Sequence, residues 1–473
     1  MKQIIFLSIF TATFLFSNLE ANAQCPTTTI ELNSQEDIDN FASDYPGCTE
    51  LLGDLRIYGG STLVNLNGLS QIQSIAGSLW IEGLSSVDNL IGLHNLTLIG
   101  GAFIFRSNYS ISNMNGLESL TSVGERLNIS SNGGLINLSG LENLSSVVSL
   151  KIDGNDNLQN LVGLSGLSSL SGSLPNFIQY NPNLLSLEGL NALTTAVSDF
   201  DIYSNDSLTS LEGLNSLESI TNGRLLIDQN QNLGNLSGLE NLTFVAETLS
   251  IDFNVSLTSL EGINNQSIVG DALSIENNSN LTSITALSNL NQVGRDLFIS
   301  NNYDLPNLSG LENLTAINGI LSILFNESMT SIEAIKNVDS STIAILQIGF
   351  NDLLSQCSIE SICSYLAIPT NDSNIHDNLP GCNTRQEIED NCELSTQENP
   401  LSEVKIYPNP TNDSFNISNL KEGIIKVMDS QGRIVSNYDV DNSFYSIKDL
   451  SEGIYFVQIR SGNQTTVRQL IKN

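Results

Sequence analysis

An apolar anchor returns through most of this 473-residue chain at a nearly constant interval, at Ile57, Ile81, Phe105, Ile129, Ile152, Ile178, Ile202, Ile227, Ile251, Ile275, Ile299, Ile323 and Ile348. The step is about 24 residues, the size of one coil in a stacked array and too short for a unit with a core of its own. Around each anchor the pattern reads L-x-I-x-x-N-x-x-L-x-x-L-x-G-L-x-x-L-x-x-I, as from Leu225 to Val245. In the L-x-I portion the period is two, so both apolar side chains leave a short strand by one face and the residues flanking the anchor leave by the other. The later L-x-x-L steps have period three, which suits tight helical or irregular turns around the same narrow interior. Each coil is expected to give one strand to a parallel sheet, and stacking on its neighbours buries what it cannot bury alone. The fold this predicts is a repeat solenoid of parallel β coils.

Two further positions repeat. Asparagine stands three places after the anchor at Asn108, Asn132, Asn155, Asn181, Asn205, Asn230, Asn254, Asn278, Asn302, Asn326 and Asn351. An amide there can satisfy turn backbone groups left unpaired where the strand ends, and a ligand site would not need renewal in every coil. Glycine at Gly68, Gly92, Gly116, Gly140, Gly163, Gly189, Gly213, Gly238, Gly262 and Gly310 permits a tight turn. Ala286 and Ala334 replace it in two coils, so a positive φ is not required by the sequence alone.

The formal net charge is −34. Such a surface repels phosphate backbones and anionic headgroups, which excludes nucleic acid and peripheral membrane binding as expected roles. Lys2, the apolar run from Ile4 to Phe16 and the triplet Ala21-Asn22-Ala23 read as a signal peptide over residues 1–23. Cys25 follows Gln24 rather than the small residue that a lipid-anchored cysteine requires, and is read as a disulfide partner. No other stretch has the roughly 18 apolar residues of a membrane span, so the mature chain is expected to have none. Cys25 and Cys48 form the natural first bridge, while Cys357, Cys363, Cys382 and Cys392 permit three pairings. With no C-x-x-C and only His94 and His376 as imidazoles, no metal or cofactor is expected. Nucleophile-elbow, dinucleotide, zinc-protease and phosphate-loop signatures are absent, and no catalytic residue is assigned.

The phrases NLSGLENLT, at Asn235–Thr243 and again at Asn307–Thr315, and SLTSLEGLNSLESI, at Ser207–Ile220, resemble receptor L-domain and leucine-rich repeats over roughly residues 49–355. The resemblance implies a right-handed solenoid used for binding. Past residue 402 the pattern changes to period-two runs punctuated by turns, the mark of a small antiparallel β-sandwich. YPNP (Tyr407–Pro410), DSQGRIV (Asp429–Val435) and EGIYFVQI (Glu452–Ile459) resemble the C-terminal sorting domain of type IX secretion cargo in Bacteroidetes. That resemblance implies export to the periplasm, handling by the type IX machinery, and release or display outside the cell.

The expected order is a signal peptide (1–23), an N-terminal disulfide cap (24–48), the solenoid (49–355), a C-terminal disulfide cap (356–392), a linker (393–401) and the sorting domain (402–473). Ser34 is placed to N-cap a short helix in the first cap, and Ser358–Leu366 and Thr384–Cys392 read as helices in the second.

Binding is expected among outward residues beside the anchors. The first three coils offer Arg56, Tyr58, Trp80, Glu82 and Arg106 on adjacent strands. Trp80, the one tryptophan, reads either as a ligand platform between two arginines or as a residue packed beneath the cap. A weaker group is Phe177, Gln179, Asp201 and Tyr203, where Asn176 replaces an apolar residue and the coil is lengthened. The expected function is non-catalytic recognition of an extracellular protein or glycan. A structural spacer or surface-layer role is the alternative, and a polysaccharide-acting enzyme ranks below both.

Overall fold

A computed structural model describes residues 25–396, 401, and 404–473 apart from 419, 421, 441–443 and 462–463. The stretch read as a signal peptide lies outside the described residues. The chain divides into two compact units, one up to Glu389 and the other Asp390–Asn473.

The first unit is a parallel β-solenoid. All thirteen anchors are fully buried, in strands that begin with Leu55–Tyr58, Leu79–Glu82 and Phe103–Arg106 and run on to Ile345–Gly349. Neighbouring anchors face each other in register, Ile57 with Ile81, Ile81 with Phe105, and Ile227 with Ile251. A slip of one residue would turn every anchor outward, so the L-x-I pattern fixes the register.

The expectation of one strand per coil needs correction. The end of the consensus, read as turn, forms a second strand of two residues, as at Ser74–Ile75, Leu98–Ile99, Ser219–Ile220 and Phe244–Val245. These pair in a parallel ladder of their own. The two ladders join where Ser122–Ser130 and Ser146–Asp153 run through both. Backbone groups on this side also need partners, and the same residue of the next coil is the group within reach.

The asparagines form a buried ladder with a fixed polarity. Asn132 Oδ1 accepts the Asn108 backbone N–H at 3.0 Å and the Asn108 amide at 3.2 Å, while Asn132 Nδ2 donates to the Phe105 carbonyl at 3.0 Å. The backbone-to-amide and amide-to-carbonyl bonds recur at each rung, as at Asn254, with every asparagine at 0% exposure. The residue before each asparagine takes a left-handed backbone, with φ of 54–58° from Ser107 to Phe350 wherever it is not glycine. This turn is disfavoured for L residues by about 1 kcal/mol or more, and the amide bonds that follow it offset the cost. Leu84 N–H opens the ladder on Asn108. Asn378, in the C-terminal cap, closes it by accepting from Asn351 at 3.1 Å and donating to Ile348 at 3.1 Å.

At nine of the ten glycines φ lies between 107° and 119°. A Cβ on Gly238 would also sit 2.1 Å from the Leu211 carbonyl oxygen of the preceding coil, so both conformation and contact require glycine. The exception is Gly68, which, like Ala286 and Ala334, lies in a 3-10 turn: Asn67–Leu69, Thr285–Asn289 and Glu333–Ile335.

Both caps add strands as well as helices. Ile30–Leu32 pairs with Leu55–Ile57, and Asp372–His376 pairs with Ile345–Gly349. The helix Gln35–Asp44 starts at a capping box in which Ser34 and Asp37 satisfy each other's backbone N–H, and it buries Ile38 and Phe41. Disulfides join Cys25 to Cys48 and Cys357 to Cys382, and no cysteine is free. Helices Glu360–Leu366 and Arg385–Thr396 form the other cap, the second running past Cys392 into the stretch read as a linker.

The second unit holds two antiparallel sheets. One comprises Lys405–Tyr407, Ser414–Ser418 and Tyr445–Ser446; the other orders Ile434–Asp439, Ile424–Met428, Gly453–Ser461 and Gln464–Lys472. Phe415, Ile425, Val427, Val457, Ile459 and Leu470 fill its core. The Asp-Ser-Gln-Gly-Arg phrase is a hairpin turn in which Asp429 accepts from the N–H groups of Gln431 and Arg433 and from the Arg433 guanidinium.

Candidate functional site

The five residues of the first group line one open groove of about 590 Å³. Arg56, Trp80 and Ile104 are consecutive in one outward row, and Tyr58, Glu82 and Arg106 in the next. Trp80 therefore stands between Arg56 and Ile104, which corrects its expected place between two arginines. The Arg56 guanidinium lies 4.5 Å from the indole centroid. One face of Trp80 is thus covered by a cation, and the side chain is half-buried. Glu82 takes the Arg106 guanidinium, and Tyr58 Oη donates to Glu31 Oε2 at 2.9 Å. The cap helix packs against the Asn67–Leu69 turn.

Glu31, Gly59, Gly60 and Gly83 also line the groove and were not anticipated. Their signal is a break in the repeat: Gly60 and Leu84 occupy the positions that carry asparagine in the later coils. Glycine at the turn leaves open the volume that side chains such as Ser107 and Ser131 take farther along.

The second group is packed rather than open. Phe177 faces Asp201 and Gln179 faces Tyr203 across the sheet. Asp201 is 2% exposed and receives two bonds from Arg224, at 3.1 and 2.8 Å. Burial first, and then the bond to Tyr180, push the Tyr203 phenol up to about 12. Gln179 is buried, with Oε1 unpaired. Asn176 accepts from Leu150 N–H and donates to the Asp199 carbonyl, both at 3.0 Å, which explains a polar residue at an apolar position in the longer coil.

A third feature is a row of carboxylates, Asp228, Asp252 and Glu276, adjacent in register. Burial raises all three above the usual carboxylate range, and for Glu276 the Asp252 charge adds to it. Ser250 and Ser274 donate to Asp252, and Ser250, although outward, is only 8% exposed. Among the described residues no cluster of His, Cys, Asp and Glu is arranged to hold a metal ion.

Residues 47–116, which include all five side chains of the first group, match the receptor L domain. Residues 405–473 match the secretion system C-terminal sorting domain. Each match covers a stretch well short of half the chain. No curated protein matches it. A sorting domain of this kind implies handling by the type IX secretion system and a place in the medium or on the outer surface, which the disulfides fit. A solenoid that matches the receptor L domain over its first coils fits a binding or structural protein. No helix among the described residues is long and apolar enough to cross a membrane.

Proposed function

We propose that this receptor L-domain protein is a non-catalytic recognition molecule that binds an extracellular protein or glycan through the sheet face of its first coils. The observation that carries the reading is the groove, where an indole, a phenol, two guanidinium groups and two carboxylates face one open volume. Aromatic and arginine side chains at the centre of a concave surface are the usual composition of a binding hot spot. The sorting domain brings the solenoid to where such partners are found. Probing an array of extracellular proteins and polysaccharides with the full chain and with Trp80→Ala tests the reading. Saturable binding that the substitution abolishes is the expected result, with a stability change of about 1 kcal/mol or less because the indole is outside the core. Equal binding by both proteins, or a loss of about 3–5 kcal/mol typical of a core aromatic, would overturn it.

A further inference from the structure

We infer that the groove is a receptor for the carboxylate of an acidic sugar, with Arg56 as the group that holds it. The inference rests on the recognition reading above and names its ligand. Residues 25–392 contain forty acidic and eight basic side chains. In that setting an arginine without a carboxylate partner is not the default. Seven of the eight cations reach an acceptor: six pair with a carboxylate, as Arg106 does with Glu82 and Arg224 with Asp201, and Arg126 donates to the Ser149 hydroxyl and the Pro175 carbonyl. Arg56 alone has neither an ion pair nor a hydrogen-bond acceptor among the described residues, and its polar head rests on Trp80.

Glu31 faces Arg56 directly in the sheet, but its carboxylate takes the Tyr58 hydroxyl instead. A guanidinium lying on an aromatic face keeps its N–H edge free in the plane. It is held in one orientation, so a planar carboxylate can dock on it bidentately at small entropic cost. Because one indole face is already covered, the ligand is gripped by this charged pair and not by stacking on Trp80.

The remaining lining favours a sugar over an acidic peptide. Glu31 and Glu82 are acceptors that ring hydroxyls can satisfy, whereas further carboxylates of a peptide would meet them as like charges. A volume of about 590 Å³ suits a short oligosaccharide.

Trp80 is the only tryptophan, so its emission reports on this groove alone. The test titrates the full chain with an oligosaccharide that carries a single uronic acid, glucuronyl-xylobiose, and with its methyl ester, following that emission. The acid should give a saturable change and the ester at least tenfold weaker binding. Arg56→Ala should weaken the acid at least tenfold and Arg56→Lys less, with melting temperatures changed only slightly because Arg56 is exposed and its one contact is the face of Trp80. An equal response to acid and ester, or a response that survives Arg56→Ala, would overturn the inference. Tighter binding of hexaglutamate than of the sugar would replace the sugar by an acidic peptide. Silence to every acid, together with Trp80-dependent capture of another partner on the array, would sink the inference and leave the recognition reading standing; silence in both would sink both.

Discussion

Replacing Asn230 with alanine takes one rung out of the buried amide ladder. Its Oδ1 accepts the Asn205 backbone N–H at 3.2 Å, and its Nδ2 donates to the Ile202 carbonyl at 3.0 Å and the Asp228 carbonyl at 3.1 Å. Asn205, Asn230 and Ile202 are at 0% exposure, so water cannot replace these bonds without opening the coil. A buried donor left unpaired costs about 1–3 kcal/mol, and the Asn205 N–H is left so, while the Ile202 carbonyl, inside the paired strand, loses only its second donor. The expected loss is therefore about 1–3 kcal/mol. The control is Ser165→Ala, at an exposed position with no side-chain hydrogen bond, which should cost less than about 0.5 kcal/mol. Urea unfolding followed by circular dichroism measures both. A repeat array is held by nearest-neighbour interfaces, so the Asn230 variant should also show a lower m-value as the two halves begin to unfold separately. Equal midpoints for the two variants would mean that the ladder does not hold the coils together, and the account of the repeat given above would fail.

Gly238→Ala should be as damaging as loss of a core side chain, because φ there is +112° and the added Cβ meets the Leu211 carbonyl; a melting temperature within 1–2 °C of the parent, on the order of the effect of a neutral surface change, would contradict this. Burial raises the folded-state carboxyls of Asp228, Asp252 and Glu276, so the folded chain binds protons more readily than the unfolded one, and their destabilising effect is present at neutral pH and relieved as pH falls through the raised values. Asp252→Asn should therefore raise the melting temperature at pH 7 and lose that advantage as pH falls towards 3.8, the ordinary value of an aspartate; a gain that does not change with pH would refute the cause. Deleting residues 402–473 should leave a folded solenoid in the periplasm, detected by fractionation and protease resistance, whereas unchanged secretion would remove the basis for placing the protein outside the cell.

The periodic part of the fold was open to reading because a solenoid writes its core into the sequence at fixed intervals. The anchors, the asparagines and the parallel register follow from spacing alone. The second strand of each coil was not legible, since a two-residue strand has no periodicity of its own and is defined only by its neighbour. Asn378 was missed for a related reason: the cap breaks the spacing, so the last rung is off the beat of the other eleven. At the candidate site, outward positions identified which side chains share a face, and all five of the first group do line one groove. What their faces meet was not available from spacing: Arg56 lies over the indole, and Asp201 is held by Arg224 from the next coil. Side-chain pairing across coils depends on rotamers, and these are fixed by contacts the repeat pattern does not encode.

The asparagine ladder has a direction. Each amide oxygen receives from the coil before it, so every rung requires a successor, and the requirement ends only at Asn378, whose own N–H is received by Asn383. The first and last links are therefore specified residue by residue, whereas the links between them are interchangeable. Excising or duplicating one whole repeat unit joins an oxygen to an equivalent N–H and leaves the chain of donors complete. Recombination between near-identical segments such as the two copies of NLSGLENLT, which stand three coils apart, can thus alter the number of coils without inventing a new interface, lengthening the solenoid by three strand spacings, about 14 Å, at each such exchange. The groove at Arg56 and Trp80 belongs to the end that such exchanges leave untouched, so its distance from the terminating cap can change over evolutionary time while its chemistry is preserved.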